Sequence, residues 1–261
     1  MLRSAIAAIS ILVLPGSAFA LDPDQYRLVD LTHPYNAETI YWPTSPSKFE
    51  LEVLSAGQTP GGWYYSANSL CTPEHGGTHF DAPIHFNAEG SPVQEVALAN
   101  LMGPGVLIDV SAKAAKDPNY RLTADDVLAF EKQHGRIAAG SIVLLRTGWS
   151  TRWPDTLAYL GDDTPGDASR LRFPSYGAES ARLLVEERGV TLIGVDTASI
   201  DHGPSKDFIV HRIAAARDVG GLENLTGLEQ LPPTGFVILA LPMKIDGGSG
   251  APVRVIALLA K

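Results

Sequence analysis

Seven short apolar runs, rich in β-branched residues and bounded by turn formers, punctuate the chain: 26–32, 49–55, 105–110, 141–147, 190–197, 236–245 and 253–260. Runs of this length and border predict strands. Val143-Leu144-Leu145 and Leu192-Ile193-Gly194-Val195 are apolar at successive positions, so both faces of those strands are expected to be covered. Helical patterns lie between them. Thr123 followed by Asp126 three residues on reads as an N-cap with its reciprocal partner, and the helix closes near His134-Gly135. A second helix is expected from Ala178 to Arg188, stopped by Gly189. A third starts at Asp207 or Phe208 and runs to about Asp218, ahead of Gly220-Gly221. This alternation predicts an α/β class, with a mixed sheet and flanking helices.

There is no internal repeat, no low-complexity stretch and no linker, so 21–261 is expected to form a single domain. The Pro/Gly/Asp-bearing segment 153–174 is long for a loop, which suits a lid or an oligomer contact. Residues 1–20 have the order of a signal peptide: Arg3, an apolar run over 5–14, a Pro15-Gly16 break and Ala18-Phe19-Ala20. The apolar run is too short to span a bilayer, which takes about 20 residues. The expectation is an exported protein, periplasmic in a Gram-negative cell and extracellular otherwise.

With 45% hydrophobic and 19% charged residues among 261, the chain has enough apolar material for a packed core. A formal net charge of −9 argues against nucleic acid or an anionic membrane as the main partner. The single cysteine, Cys71, excludes an intramolecular disulfide and a cysteine-rich zinc site. We expect it to be a small buried hydrophobe near the site.

The chemistry concentrates in one stretch. His75-Gly76-Gly77-Thr78-His79-Phe80-Asp81-Ala82-Pro83-Ile84-His85 holds three of the seven histidines and an aspartate within eleven residues. In an extended segment His75, His79, Asp81 and His85 all face one way. Titratable groups gathered on one buried face need a common partner. A divalent cation is the economical one, because imidazole and carboxylate suit zinc or manganese and two His plus a carboxylate leave coordination positions open. The competing reading is a solvated polar loop.

This stretch resembles the H-x-G-T-H-x-D-x-P-x-H motif of the putative cyclase family, which includes bacterial kynurenine formamidases and isatin hydrolases. Asp30-Leu31-Thr32-His33-Pro34, Trp42-Pro43, the segment from Gly194 to Asp201, His211 and Glu223-Asn224-Leu225 resemble further family segments. The resemblance runs from about Leu28 to the C-terminus. It implies a swivelling β/β/α-like fold and a metal-dependent hydrolase that cleaves the amide C–N bond of an aryl formamide or a lactam. His75, His79 and Asp81 would bind one metal, and Asp81, His211 and Glu223 a second, giving one or two zinc or manganese ions per subunit. His85 would be the catalytic acid/base. A homodimer or homotetramer, with sites near subunit contacts, is implied as well.

From the residues alone, His211 reads as a helix-surface histidine and Glu223 as solvated. Asp196 and Asp201 end a buried strand, where polar groups either serve a site or cap a turn. Trp42, Trp63 and their tyrosine neighbours Tyr41, Tyr64 and Tyr65 suit the walls of a flat aromatic pocket, or else a core or an interface. Arg146 and Arg152 follow a buried strand and would meet a substrate carboxylate or pair at the surface. Trp42-Pro43-Thr44-Ser45-Pro46 departs from the W-P-G-D of kynurenine formamidases. With the signal peptide and the long 153–174 loop, it favours a sibling hydrolase acting on an exogenous amide, lactam or ester. A lyase or dehydratase using the same ligands, or an exported metal- or ligand-binding protein, stays open at this point.

Overall fold

In the computed structural model residues 23–261 are described, and the signal-peptide pattern at 1–20 lies outside them. The strands are β1 (Tyr26–Asp30), β2 (Glu50–Gln58), β3 (Tyr64–Cys71), β4 (His79–Asp81), β5 (Met102–Asp109), β6 (Arg121–Leu122), β7 (Ile142–Arg146), β8 (Ser175–Tyr176), β9 (Leu192–Val195), β10 (Gly220–Glu223), β11 (Phe236–Pro242) and β12 (Gly250–Ala260). The α-helices are α1 (Ser111–Ala114), α2 (Ala124–His134), α3 (Thr156–Leu160), α4 (Ala178–Arg182) and α5 (Ile209–Ala215). Helix α4 runs on into a wider π turn, Leu183–Arg188, before Gly189 ends it.

The main sheet is ordered β1-β12-β11-β5-β7-β9-β10-β4, and β4 also pairs with β12, which closes the sheet into a barrel. Strands β5, β7, β9 and β10 are mutually parallel, and the remaining pairings are antiparallel. The long β12 makes closure possible: 250–252 pair with β4, and 256–260 pair with β1 along the same edge.

Period-two alternation sorts the apolar strands into two cores. Leu107, Ile142, Leu144 and Leu192 fill the barrel with Phe80, Leu222 and Ile238. Val106, Ile108, Val143, Leu145, Ile193 and Val195 face outward onto α2, the α4 segment and α5. Two-sided covering is why these strands read as unbroken apolar runs. Helix α2 begins as expected: Thr123 Oγ1 accepts from Asp126 N, and the Asp126 carboxylate accepts from Thr123 N.

The 153–174 segment is a packed element. It contains α3, and Tyr159, Leu160, Leu171 and Phe173 are fully buried in a third apolar cluster with Ile40 and Trp149. The β2–β3 hairpin does the opposite and projects from the body. Leu51, Val53, Leu54, Trp63, Tyr64, Tyr65 and Leu70 are all more than half exposed. Cys71 ends this hairpin and is exposed, which corrects its expected burial. No helix among the described residues is long and apolar enough to cross a membrane.

Candidate metal centre

Two neighbouring strands of the closed barrel bring the site together. Across the antiparallel β4–β10 ladder Glu223 lies opposite His79, and Gly221 lies opposite Asp81. His79 and Asp81 share one face of β4, as alternation requires. His75 and His85 do not continue that strand. His75 arrives from the turn before β4, and His85 ends a short 3-10 turn, Pro83–His85. The all-extended expectation therefore holds for His79 and Asp81 only. Two glycines make room. Gly77 turns the chain at φ 57°, and a Cβ at Gly250 would stand 2.5 Å from the His75 ring.

His211 is carried in by α5, whose N-cap Phe208 holds a left-handed φ of 48°. His211 and Glu223 are 7% and 5% exposed, so neither is the surface residue that the sequence alone suggested. The ligand-type atoms form two triplets that share Asp81: His75, His79 and Asp81, and Asp81, His211 and Glu223. His79 Nε2 is 3.2 Å from Asp81 Oδ1 and 3.4 Å from Glu223 Oε2. His211 Nε2 is 3.4 Å from Asp81 Oδ2 and 3.2 Å from Glu223 Oε1. Such separations suit donors around one ion with bonds of about 2.0–2.1 Å.

Each imidazole is oriented by its other nitrogen. His79 Nδ1 donates to Gly77 O at 3.0 Å, and His211 Nδ1 donates to Asp201 Oδ2 at 2.7 Å. His75 Nε2 donates to Ser249 Oγ at 2.9 Å, and that hydroxyl donates to Glu74 Oε2 at 2.6 Å. This network assigns the tautomers, and it turns the remaining nitrogen of all three rings onto carboxylates. His75 Nδ1 is 2.6 Å from Asp81 Oδ1. A nitrogen lone pair facing a carboxylate needs a proton or a cation between them. Asp81 Oδ2 is buried without a hydrogen-bond partner, a further sign that a cation belongs there.

The electrostatics agree. Burial alone would lower the His79 pKa, but Asp81 and Glu223 override it and push it up to about 9. For His211 burial is likewise outweighed, by Asp201, Asp81 and Glu223, and its pKa rises. Burial opposes ionisation of Asp81, yet the three surrounding histidines hold its carboxyl well below the usual range. The Glu223 carboxyl is raised, by burial and then by Asp81. His85 behaves differently. Its ring stacks on His75 with centroids 3.8 Å apart, and burial together with the neighbouring imidazoles lowers its pKa to about 4. It is neutral at pH 7.

These groups line a cavity of about 400 Å³. Its apolar wall includes Ile40, Tyr41, Trp42, Phe86 and Phe208. Phe208 lies 5.3 Å from Phe86 and 6.2 Å from Trp42, ring centroid to centroid. Trp42 thus sits where the sequence placed it, whereas Trp63 is on the projecting hairpin and does not line the cavity. Arg146 pairs with Asp109, and Arg152 covers the face of Trp149, so neither meets the cavity. Asp201 orients His211, while Asp196 accepts from Thr147 N, Thr147 Oγ1 and Gly148 N and ties two strand ends together. The sequence reading missed Glu74, Ser249 and Phe208. Ser249 lies 174 positions from His75, so no local pattern could join them. The positive φ of Phe208 has no sequence signature of the glycine or asparagine kind.

The Putative cyclase family matches residues 29–202, and the chain belongs to that family. It is 32% identical to an isatin hydrolase of Roseibium aggregatum over 222 residues, 82% of each chain. It is 30% identical to a kynurenine formamidase of Sphingopyxis alaskensis over 233 residues, 88% of this chain and 97% of that one. A crystal structure of an isatin hydrolase bound to the product analogue thioisatinate superposes with a TM-score of 0.84 at 29% identity, covering 91% of this chain and 94% of that one. With the buried His/Asp/Glu cluster, these relationships make the chain a metal-dependent amide hydrolase.

Proposed function

We propose that the enzyme hydrolyses a small aromatic amide, an aryl formamide or a cyclic amide of the isatin type, with zinc or manganese at one or two sites per subunit. The observation that carries this reading is the pair of triplets sharing Asp81 at the floor of an aromatic-walled cavity. The donor set fits the ion, because three oriented imidazoles present free nitrogens to two buried carboxylates. His75, His79 and Asp81 would hold one ion, and Asp81, His211 and Glu223 a second. Such an ion would supply Lewis acidity, bringing the pKa of water down to about 7 and polarising a carbonyl.

The protein does the rest. Trp42, Phe86 and Phe208 hold a flat ring and exclude water from it. His85, neutral and beside the ligand set, accepts the proton of the attacking water and returns it to the leaving nitrogen. Water adds across the C–N bond. A formamide gives formate and an arylamine, and a lactam gives the ring-opened amino acid.

The Met1–Ala20 pattern supports export, with a periplasmic location in a Gram-negative cell. The apolar hairpin supports a homodimer or homotetramer. The test is metal content per subunit, with hydrolysis of isatin and N-formylkynurenine before and after chelation. Chelator-sensitive turnover of either is expected. A protein without metal after reconstitution, or without turnover of any aromatic amide, would refute the reading.

A further inference from the structure

Asn224, the residue after β10, is buried and holds a left-handed φ of 54°. Asparagine tolerates that conformation better than most residues with a Cβ. Its backbone is tied on both sides. Asn224 N donates to Thr197 O at 2.8 Å, and Asn224 O accepts from Thr78 Oγ1 at 2.6 Å. The side chain reaches further. Nδ2 donates to Gly77 O at 2.7 Å, and the same carbonyl accepts from His79 Nδ1 at 3.0 Å. Oδ1 accepts from the Tyr159 hydroxyl at 3.0 Å. The amide stands this way round because Gly77 O can only accept.

Tyr159 comes from α3, inside the 153–174 segment, and is fully buried. Its own carbonyl accepts from Trp149 Nε1 at 2.8 Å, and its ring meets Trp153 edge-on at 5.4 Å. A line of hydrogen bonds thus runs from α3 through Asn224 and Gly77 O to His79. The two side chains that build it, a phenol and an amide, carry no charge. Gly77, at φ 57°, has no side chain to steady its peptide, so the second donor pins a carbonyl that would otherwise turn freely. We propose that Asn224 and Tyr159 are positioning residues for the metal centre. Tyr159 orients the Asn224 amide, Asn224 pins the Gly77 carbonyl, and that carbonyl sets the tautomer and ring angle of His79. This rests on the reading of His79 as a metal ligand, and it gives the 153–174 segment a task in the site.

Cobalt(II) binding to the full chain reads the site without turnover, through its visible absorption bands and by competition with a chelating dye. Asn224→Gly keeps the left-handed backbone and deletes the amide. Its cobalt Kd should rise about 10–100-fold, and the absorption bands should shift. Tyr159→Phe keeps the ring and removes the hydroxyl, and its Kd should rise about three- to tenfold for the one hydrogen bond lost. The double variant should match Asn224→Gly alone, because the hydroxyl has no amide left to orient. All four proteins are compared where circular dichroism shows them folded. Tyr159→Phe, the milder change, carries the test by itself if Asn224→Gly does not fold. A lower thermal midpoint with unchanged Kd and bands would make Tyr159 a packing residue and overturn the proposal. Additive losses in the double variant, or an unchanged Kd in Asn224→Gly, would overturn it as well. A native chain that binds no cobalt would refute the metal reading and the proposal with it. Shifted affinities without hydrolysis of any aromatic amide would refute the amide-hydrolase reading alone and leave the positioning role standing.

Discussion

His79 and Glu223 stand directly opposite each other on β4 and β10, with Nε2 3.4 Å from Oε2 in a buried space. One ladder register therefore sets the distance between the two halves of the metal cluster, and a slip of one residue would turn one of the two away. His79→Ala removes a donor that faces both Asp81 and Glu223. The variant should bind no stoichiometric metal and show background hydrolysis, measured by elemental analysis and by turnover of isatin. A variant that keeps a full metal complement would remove His79 from the ligand set.

His85 separates chemistry from binding. Its ring stacks on His75, and its lowered pKa keeps it neutral across the physiological range. His85→Ala should leave metal content unchanged and lower kcat by about 10²–10⁴. Normal turnover in this variant would end its assignment as the acid/base. Loss of metal would make it a ligand or a support for His75.

How much of this was legible beforehand depends on the range of the interaction. The apolar runs of β5, β7 and β9 announced themselves because both faces are buried, and that of β12 because even its half-buried face is mostly apolar. Strands β4 and β10 did not, because His-Phe-Asp and Gly-Gly-Leu-Glu carry the chemistry and break the apolar pattern. His75, His79 and Asp81 were readable as a local cluster. The burial of His211 and Glu223 was not readable from residue pattern, since it follows from the β4–β10 pairing and the placement of α5. Only the family resemblance named them. Trp63 and Cys71 were misplaced for one shared reason: the hairpin that bears them projects outward, against the usual rule for apolar strands.

His33 makes the fold sensitive to acid. It is 8% exposed, its ring stacks on Trp153 at 4.2 Å, and its Nε2 has no hydrogen-bond partner. Burial lowers its pKa from 6.5 to about 4. The folded state therefore favours neutral imidazole. The associated stability is intact above the unfolded pKa and is lost as pH falls from about 6.5 toward 4. In the metal-free protein this amounts to about 2 kcal/mol by pH 5. Urea unfolding of the metal-free protein at pH 7 and pH 5 should show a loss about 2 kcal/mol smaller in His33→Phe, which keeps an aromatic partner for Trp153, than in the unsubstituted chain. Equal losses in both would place the acid sensitivity elsewhere.

The hairpin yields the last prediction. Val53 and Leu54 are 63% and 61% exposed, beside a β-bulge on a two-stranded arm that carries five more large apolar side chains. Contiguous apolar surface beyond roughly 400 Å² is unusual on a monomer and marks an interaction site. A second copy of the chain offers the same arm, so a two-fold contact is self-complementary. Sedimentation of the native protein at micromolar concentration should give a dimer or tetramer. The double variant Val53→Glu, Leu54→Glu should sediment as a monomer, because like charges would meet across the two-fold contact. Its thermal midpoint at low concentration should move little, since the side chains it changes are solvent-exposed in the single chain. A native protein that sediments as a monomer, or a charged variant that stays assembled, would show that the arm faces something other than its own copy.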